Sequence, residues 1–324
     1  MSPRAVLFGA DEALPALPVC DHYAGVESRM TKSLQLQAEM GPVFDVTLDN
    51  EDGARVGGET DHAHLIASLL NSAGNQFGRV GVRLLHLGHP HFADVAGIVL
   101  KSQRQPAYLM LPKLERAADV ASAAQIIDAL GGSTIALHAL IETHGALRDV
   151  FAIAAHPRIE SLSFGLMDFV SAHRGAIAQS AMGAQGQFEH PLVLRAKTEI
   201  SAACHAFGKT PSHCVVTEFK DTDALQAAAE IACKRLAYTR MWSIHPAQIR
   251  PIVEAFSPTA AEIDHAIEII MAAQAAQWAP TRHHDTLHDR ASYRYFWHVI
   301  ERAHRTSFAG GPQLPAELRA AWFD

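Results

Sequence analysis

Short apolar runs that stop at polar, glycine or proline clusters recur along this chain. Each is followed by a stretch in which apolar residues return every three or four positions. Eight such runs stand out: AVLFGA from Ala5, VFDVTLDNED from Val43, VGVRLLHL from Val80, AYLMLPK from Ala107, TIALHALIET from Thr134, IESLSFGLMD from Ile159, HCVVTEF from His213 and YTRMWSIHP from Tyr238. Between them SLQLQAEMG, HAHLIASLLNSAG, VASAAQIIDALGG, LRDVFAIAAHP, VLRAKTEISAACHAFG and ALQAAAEIACKRL keep helical spacing, and several close on the glycine that ends helices. Regular alternation of strand and helix implies parallel strands joined by right-handed crossovers. Eight units close most naturally into an α/β (β/α)8 barrel, with an open doubly wound sheet as the alternative.

After Phe256 the alternation stops. SPTAAEIDHAIEIIMAAQAAQW reads as a helix with Ser257 as its N-cap and Pro258 in its first turn, and SYRYFWHVIERAH as a second helix with an aromatic stripe. APTRHHDTLHDR between them reads as a polar hinge. The expected organisation is a catalytic barrel over residues 1–256 and a helical cap over 257–324. The cap must bury Trp278, Tyr293, Phe296 and Trp297 on the barrel wall or on a neighbouring subunit, which makes it an oligomerisation segment.

Composition narrows the function. With 324 residues, 48% of them hydrophobic and 19% charged, the chain has enough apolar surface for one large core. A formal charge of −7 leaves no basic footprint for nucleic acid, and a small anionic substrate depends only on the local field of its site. No leader-like or membrane-length apolar run is present, so a cytoplasmic protein without a membrane partner is expected. Cys20, Cys204, Cys214 and Cys233 lack paired spacing and read as free thiols. The histidine groups His86, His89, His91 and His283, His284, His288 fall in sequences that read as surface loops.

In such barrels the reactive groups sit where the strands end. Asp49, Glu51 and Asp52 end the second run, Lys113 the fourth, Glu142 the fifth, Asp168 the sixth and His245 the eighth, while Arg83 lies within the third. Side-chain alternation turns Glu142 and Asp168 toward the mouth, and neighbouring strands lie ~4.8 Å apart. Two carboxylates that close repel each other unless a cation lies between them, which points to one divalent metal, magnesium or alternatively manganese. Capping of the following helices is the competing explanation. Three acids within Asp49–Asp52 could hold metal-bound waters across the mouth. Arg83, in an apolar run, needs an anion, either substrate or Glu51. A Schiff base at Lys113 is chemically conceivable, but nothing nearby depresses its pKa. His138 reads as a hydrogen-bonded core residue. The glycine-rich stretch after Asp168 reads as a mouth loop able to close over an acyl chain.

Six ordered motifs then coincide with the expected strand ends: LDNEDGA from Leu48, Val82–Arg83, Pro112–Lys113, Ile141–Thr143, Phe164–Asp168 in the form FGxxD, and Ile244–Gln248 in the form IHPxQ. In these the chain resembles the citrate lyase β-subunit-like branch of the HpcH/HpaI aldolase superfamily, from about Ala5 to Ala266. The resemblance implies a TIM barrel, a homotrimer or hexamer, and Mg²⁺ on Glu142 and Asp168. Glu51 and Asp52 would hold metal-bound waters, and Arg83 would polarise the substrate carbonyl. Lys113, Gly165 and Met167 join Arg83 as candidate substrate contacts. The implied reaction is reversible carbon-carbon cleavage of a malyl-, citramalyl- or citryl-type thioester, commonly of coenzyme A, into an acetyl thioester and a 2-oxo acid.

Acids at the end of the second run, where related pyruvate aldolases carry a histidine, favour the lyase branch. The chain departs from the family at VRLL, where VRVN is usual, at Arg240–Met241, where GK is usual, and at the first-run FGADEA. Asp289 resembles the lid acid of malyl thioester lyases. An aldolase of free 4-hydroxy-2-oxo acids, an acyl-CoA thioester hydrolase and a non-catalytic binding subunit are the alternatives.

Overall fold

The computed structural model describes residues 2–9, 17–308 and 311–323. Within it the chain divides into two units, Leu17–Val253 and a second made of Glu254–Asp324 with the described part of Met1–Ala16.

The first unit is a closed barrel of eight parallel strands in sequence order, β1 pairing with β8. The strands are β1 (Cys20–Ala24), β2 (Phe44–Asp49), β3 (Val80–Arg83), β4 (Tyr108–Leu111), β5 (Ala136–Ile141), β6 (Ile159–Phe164), β7 (Thr210–His213) and β8 (Arg240–Ser243). After a short helix α1 (Pro3–Phe8) come α2 (Glu27–Met40), α3 (Glu59–Asn71), α4 (Phe92–Leu100), α5 (Ala117–Ala129), α6 (His144–Arg148), α7 (Val150–Ala154), α8 (Leu166–Ser171), α9 (Pro191–Ala206) and α10 (Thr222–Leu236). Helix α11 (Pro246–Phe256) carries the chain into the second unit. No described helix is long and apolar enough to cross a membrane.

The expected barrel is correct, and two of its strands are displaced. AVLF is not a strand. Pro3 sits in the first turn of α1, and Leu7 buries itself in the second unit. The true first strand, CDHYA, hides because its Asp21 and His22 are polar yet buried. Likewise β7 ends at His213, where the sequence reading began it, because Thr210 and Ser212 lie buried against β6.

Those buried polar residues form a charged layer inside the barrel. Asp21 and Asp45 are ladder partners on β1 and β2. The fully buried Arg240, first residue of β8, pairs with Asp45 at 2.5 Å and Asp21 at 3.1 Å. Thr47 donates to Asp21 at 2.7 Å, Tyr108 donates to it at 3.1 Å, and Arg79 adds a forked pair to Asp45. His138 stacks on Tyr108 at 3.8 Å and reaches Glu160 at 3.0 Å, the core role expected of it. Both residues at the family's GK position are therefore taken up by the core: Arg240 pairs with two buried acids and Met241, on the opposite face of the strand, is fully buried.

The second unit holds α12 (Ala260–Ala275), a hairpin of β9 (Thr281–His283) and β10 (Thr286–His288), α13 (Arg290–Arg305) and α14 (Ala316–Phe323). Its core joins Leu7, Ile263, Ile270, Tyr293, Trp297 and Trp322, with Trp278 and Phe296 packed against it. The aromatic stripe is thus covered within this unit. The helix cap is Thr259, not Ser257: its hydroxyl accepts from Glu262 N at 3.2 Å while the Glu262 carboxylate takes the Thr259 N–H at 2.7 Å. Asp289 caps α13, accepting from Ala291 N and Ser292 N at 3.0 and 3.2 Å. The expected polar hinge is the hairpin.

Removing one partner from a buried charge network strands the others without solvent. Arg240→Met should therefore lower stability by about 3–5 kcal/mol in urea denaturation. A loss below about 1 kcal/mol would show that Asp21 and Asp45 are neutralised otherwise.

Candidate active site

The carboxyl ends of the strands meet at a cavity of about 230 Å³, lined among others by Tyr23, Asp52, Arg83, Glu142, Asp168 and Trp242. Gly165 and Met167 line it too.

Its anchor is the ladder pair Asp49 and Arg83, the last residues of β2 and β3. Arg83 donates from Nε to Asp49 Oδ1 at 2.6 Å and from Nη2 to Asp49 Oδ2 at 3.0 Å. Nη2 also donates to Asp52 Oδ2 at 2.7 Å and to the Tyr23 hydroxyl at 3.2 Å, while Glu51 Oε2 lies 3.2 Å from Nη1. The partner expected was substrate or Glu51; the dominant one is Asp49. Burial opposes ionisation of Asp49, but Arg83 outweighs it and holds the carboxyl below its usual range.

Asp49 also shapes the acidic turn, accepting from Glu51 N and Asp52 N, each at 3.0 Å. The turn closes at Gly53, where a Cβ would come within 2.2 Å of the Gly25 carbonyl oxygen, so only glycine fits. Glu51 bridges Arg83 and Lys113, whose Nζ is 2.9 Å away. Burial lowers the Lys113 pKa, but Glu51 and then Asp168 and Asp52 raise it further, so the amine is held protonated and is a poor nucleophile.

Glu142 follows β5 directly and is 2% exposed. Its Oε1 accepts from Lys113 N at 2.8 Å. The helix after it is capped by Thr143, whose hydroxyl accepts from Ala146 N at 2.9 Å and donates to Leu114 O at 2.6 Å. Glu142 therefore caps nothing and lines the cavity. Burial, then Asp168, pushes its pKa up to about 8.

Asp168 is not at a strand end. β6 stops at Phe164, and Asp168 lies in the first turn of α8, still lining the same cavity. Gly165 makes the tight approach, since a Cβ there would sit 2.5 Å from Glu142 Oε2. The expected long mouth loop contains α8 and two short 3-10 turns, Gln179–Met182 and Gly186–Phe188.

The donor set suits a hard divalent cation. Five carboxylates, of Asp49, Glu51, Asp52, Glu142 and Asp168, meet two cationic side chains, Arg83 and Lys113. Asp49, Glu51 and Asp52 are ion-paired with those cations, while Glu142 has Asp168 as its acidic neighbour.

A second, larger cavity of about 680 Å³ shares Tyr23 and Ile244 with the first. Ser28, Arg29 and Lys32 of α2 line it, with Phe219 and His245, whose rings stack at 5.0 Å. Gln248 fixes that edge by accepting from Ile244 N at 2.9 Å and donating to Val216 O at 2.7 Å, which explains IHPxQ structurally. The basic residues of α2 were missed in the sequence because exposed arginine and lysine on a helix look like ordinary surface.

The chain is similar to a citrate lyase from Burkholderia xenovorans LB400, at 53% identity over 100% of both chains with a TM-score of 0.85. It is 27% identical over 292 residues to the L-malyl-CoA/beta-methylmalyl-CoA lyase of Cereibacter sphaeroides, covering 83% of this chain and 89% of that one. The protein CitE of Mycobacterium tuberculosis, solved with magnesium, acetoacetate and coenzyme A, shares the fold at 20% identity, with a TM-score of 0.70 over 89% of this chain and 98% of that one. Residues 38–246 match the HpcH/HpaI aldolase/citrate lyase family, and the chain belongs to it.

Proposed function

We propose that the protein is a Mg²⁺-dependent carbon-carbon lyase that cleaves a 3-hydroxyacyl thioester into an acetyl thioester and a 2-oxo acid. The observation that carries this reading is the buried Glu142 beside the exposed Asp168, both lining one cavity with Arg83, with more acids than bases. Glu142 and Asp168 would hold the ion, which when bound supplies charge that binds the oxygens of the oxo-acid half.

The remaining work falls to this chain's side chains. Asp49 and Asp52 hold the Arg83 guanidinium so that Nη1, whose neighbour is Glu51 at 3.2 Å, keeps a donor for the thioester carbonyl. As the carbon-carbon bond breaks, its electron pair moves onto the acetyl thioester as an enolate, and Arg83 stabilises the charge on oxygen. The hydroxyl proton passes to Asp52, whose side chain is 63% exposed and lines the cavity. The enolate carbon then takes up that proton, which returns Asp52 to its carboxylate and completes the acetyl thioester. Lys113 and Glu51 keep Arg83 in register. The larger cavity beside the first, with Arg29 and Lys32, suits the phosphates of coenzyme A. Assembly as a homotrimer or hexamer rests on the resemblance, and the exposed Met271 and Tyr295 offer apolar contact area for it.

Incubating malyl-, citramalyl- and citryl-CoA with the protein and Mg²⁺ should release acetyl-CoA with the matching 2-oxo acid, identified by mass spectrometry. Release of free coenzyme A with the intact hydroxy acid would make it a thioesterase. Arg83→Lys, which keeps the charge but loses the fork, should lower kcat about 10²–10³-fold. A change below about threefold would remove Arg83 from the chemistry.

Glu142 also predicts a pH dependence for the metal-free protein. Its folded pKa of about 8 lies above the ordinary 4.5, so the folded state binds the proton more tightly. That contribution is fully present below 4.5 and is lost as the pH rises through about 8. Thermal midpoints of metal-free protein should therefore fall across that window, and Glu142→Gln should flatten the fall. Equal slopes in both proteins would overturn the assignment.

A further inference from the structure

A second group of metal-ligating side chains lies in the helical unit, far along the chain from the motifs of the barrel mouth. We propose that His265, Glu268, His283 and His288 form a binding site for a borderline transition-metal ion of the zinc class.

Two elements bring the donors together. His265 and Glu268 are three residues apart on α12 and share its face. In the hairpin His283 pairs with Thr286 and His288 with Thr281, so both histidines project from one face while Arg282 and the 72% exposed Leu287 project from the other. The turn between the strands, His284–Asp285, has φ of 43° and 62°. Two left-handed residues in succession make the tight turn that usually takes Asn-Gly, and they fix the strand register that sets the two histidines side by side.

The geometry is near that of a ligand set. One ligand atom from each of His265, Glu268 and His283 lies within 4.8 Å of the other two, and among the described residues no other three His, Cys, Asp or Glu side chains do this. Donors bound tetrahedrally at ~2.0–2.1 Å sit roughly 3.4 Å apart, so closing the site needs only small rotations of three partly or fully exposed side chains. His283 Nε2 already lies 3.2 Å from Glu268 Oε2.

His288 supplies an independent observation. It is 5% exposed, and its Nδ1 has no hydrogen-bond partner. An imidazole nitrogen shut away from water without a partner is costly unless something binds it. Its ring centre is 6.5 Å from that of His283, and Phe296 packs on both His288 and His265, at 5.6 and 5.1 Å. Tyr293 anchors the strand by donating to His288 O at 3.1 Å.

Imidazoles with one carboxylate select zinc, cobalt, nickel or copper over magnesium or calcium, which take oxygen. The ion would pin the hairpin to α12, so its binding adds directly to the stability of this unit. The site is independent of the lyase reading.

The test is calorimetric titration of the full-length protein with Zn²⁺ alone, in a Glu142→Gln, Asp168→Asn background that disables the mouth. One equivalent of Zn²⁺ should bind, and adding His265→Ala with His283→Ala should remove it or weaken it at least about 100-fold. Glu268→Gln, which preserves side-chain shape, should weaken binding about tenfold, with circular dichroism confirming the fold of each variant. Unchanged stoichiometry and affinity in the folded His265→Ala, His283→Ala protein would overturn the site. So would absence of any Zn²⁺ equivalent in the parent.

Discussion

Carboxylates gathered at one barrel mouth, several of them buried, need positive charge close by, and the arrangement of this site follows from that constraint. Arg83 answers most of it. Its fork takes Asp49 in the ladder and Asp52 from the following turn, with Glu51 beside it, and Lys113 takes the other side of Glu51. Glu142 and Asp168 remain without an ion pair of this kind, and burial, then Asp168, lifts the pKa of Glu142. The proposed divalent ion relieves that residual repulsion. The same ion, together with Arg83, would meet the negative charge that carbon-carbon cleavage creates, so the feature that costs stability is the feature the chemistry needs.

The interior of the barrel solves a similar problem differently. Asp21 and Asp45 are buried beside each other and pair with Arg240, Asp45 also with Arg79, while Thr47 and Tyr108 donate to Asp21. One charged layer is closed by the protein itself and the other is left open at the mouth. This contrast also resolves the Arg240–Met241 departure from the family pattern. Those positions serve the barrel core, and the basic residues placed near a second cavity are Arg29 and Lys32 on α2.

Much of this was legible in the chain because barrel strands with apolar interiors announce themselves, and their polar endings mark the mouth. Legibility failed where burial was polar or local geometry was decisive. CDHYA carries no apolar signature, whereas AVLF is too short to separate helix from strand by period. Asp168 was read as a strand end because the FGLMD run continues apolar, yet Gly165 breaks the strand and α8 begins. The Thr259 cap was missed because Ser257 and Pro258 fit a helix start equally well, and only the reach of Glu262 decides it. The hairpin was read as a hinge because His-Asp is not a familiar tight-turn pair, and with it went the meeting of His283 with His265 and Glu268 of α12.

The proposed metal site requires Glu142 and Asp168 to hold one divalent ion together. Calorimetric titration with Mg²⁺ at neutral pH tests it most directly. The native protein should bind one equivalent and release protons as Glu142 ionises, and the folded Glu142→Gln, Asp168→Asn variant should show no binding. Mg²⁺ affinity unchanged in that variant would contradict the account.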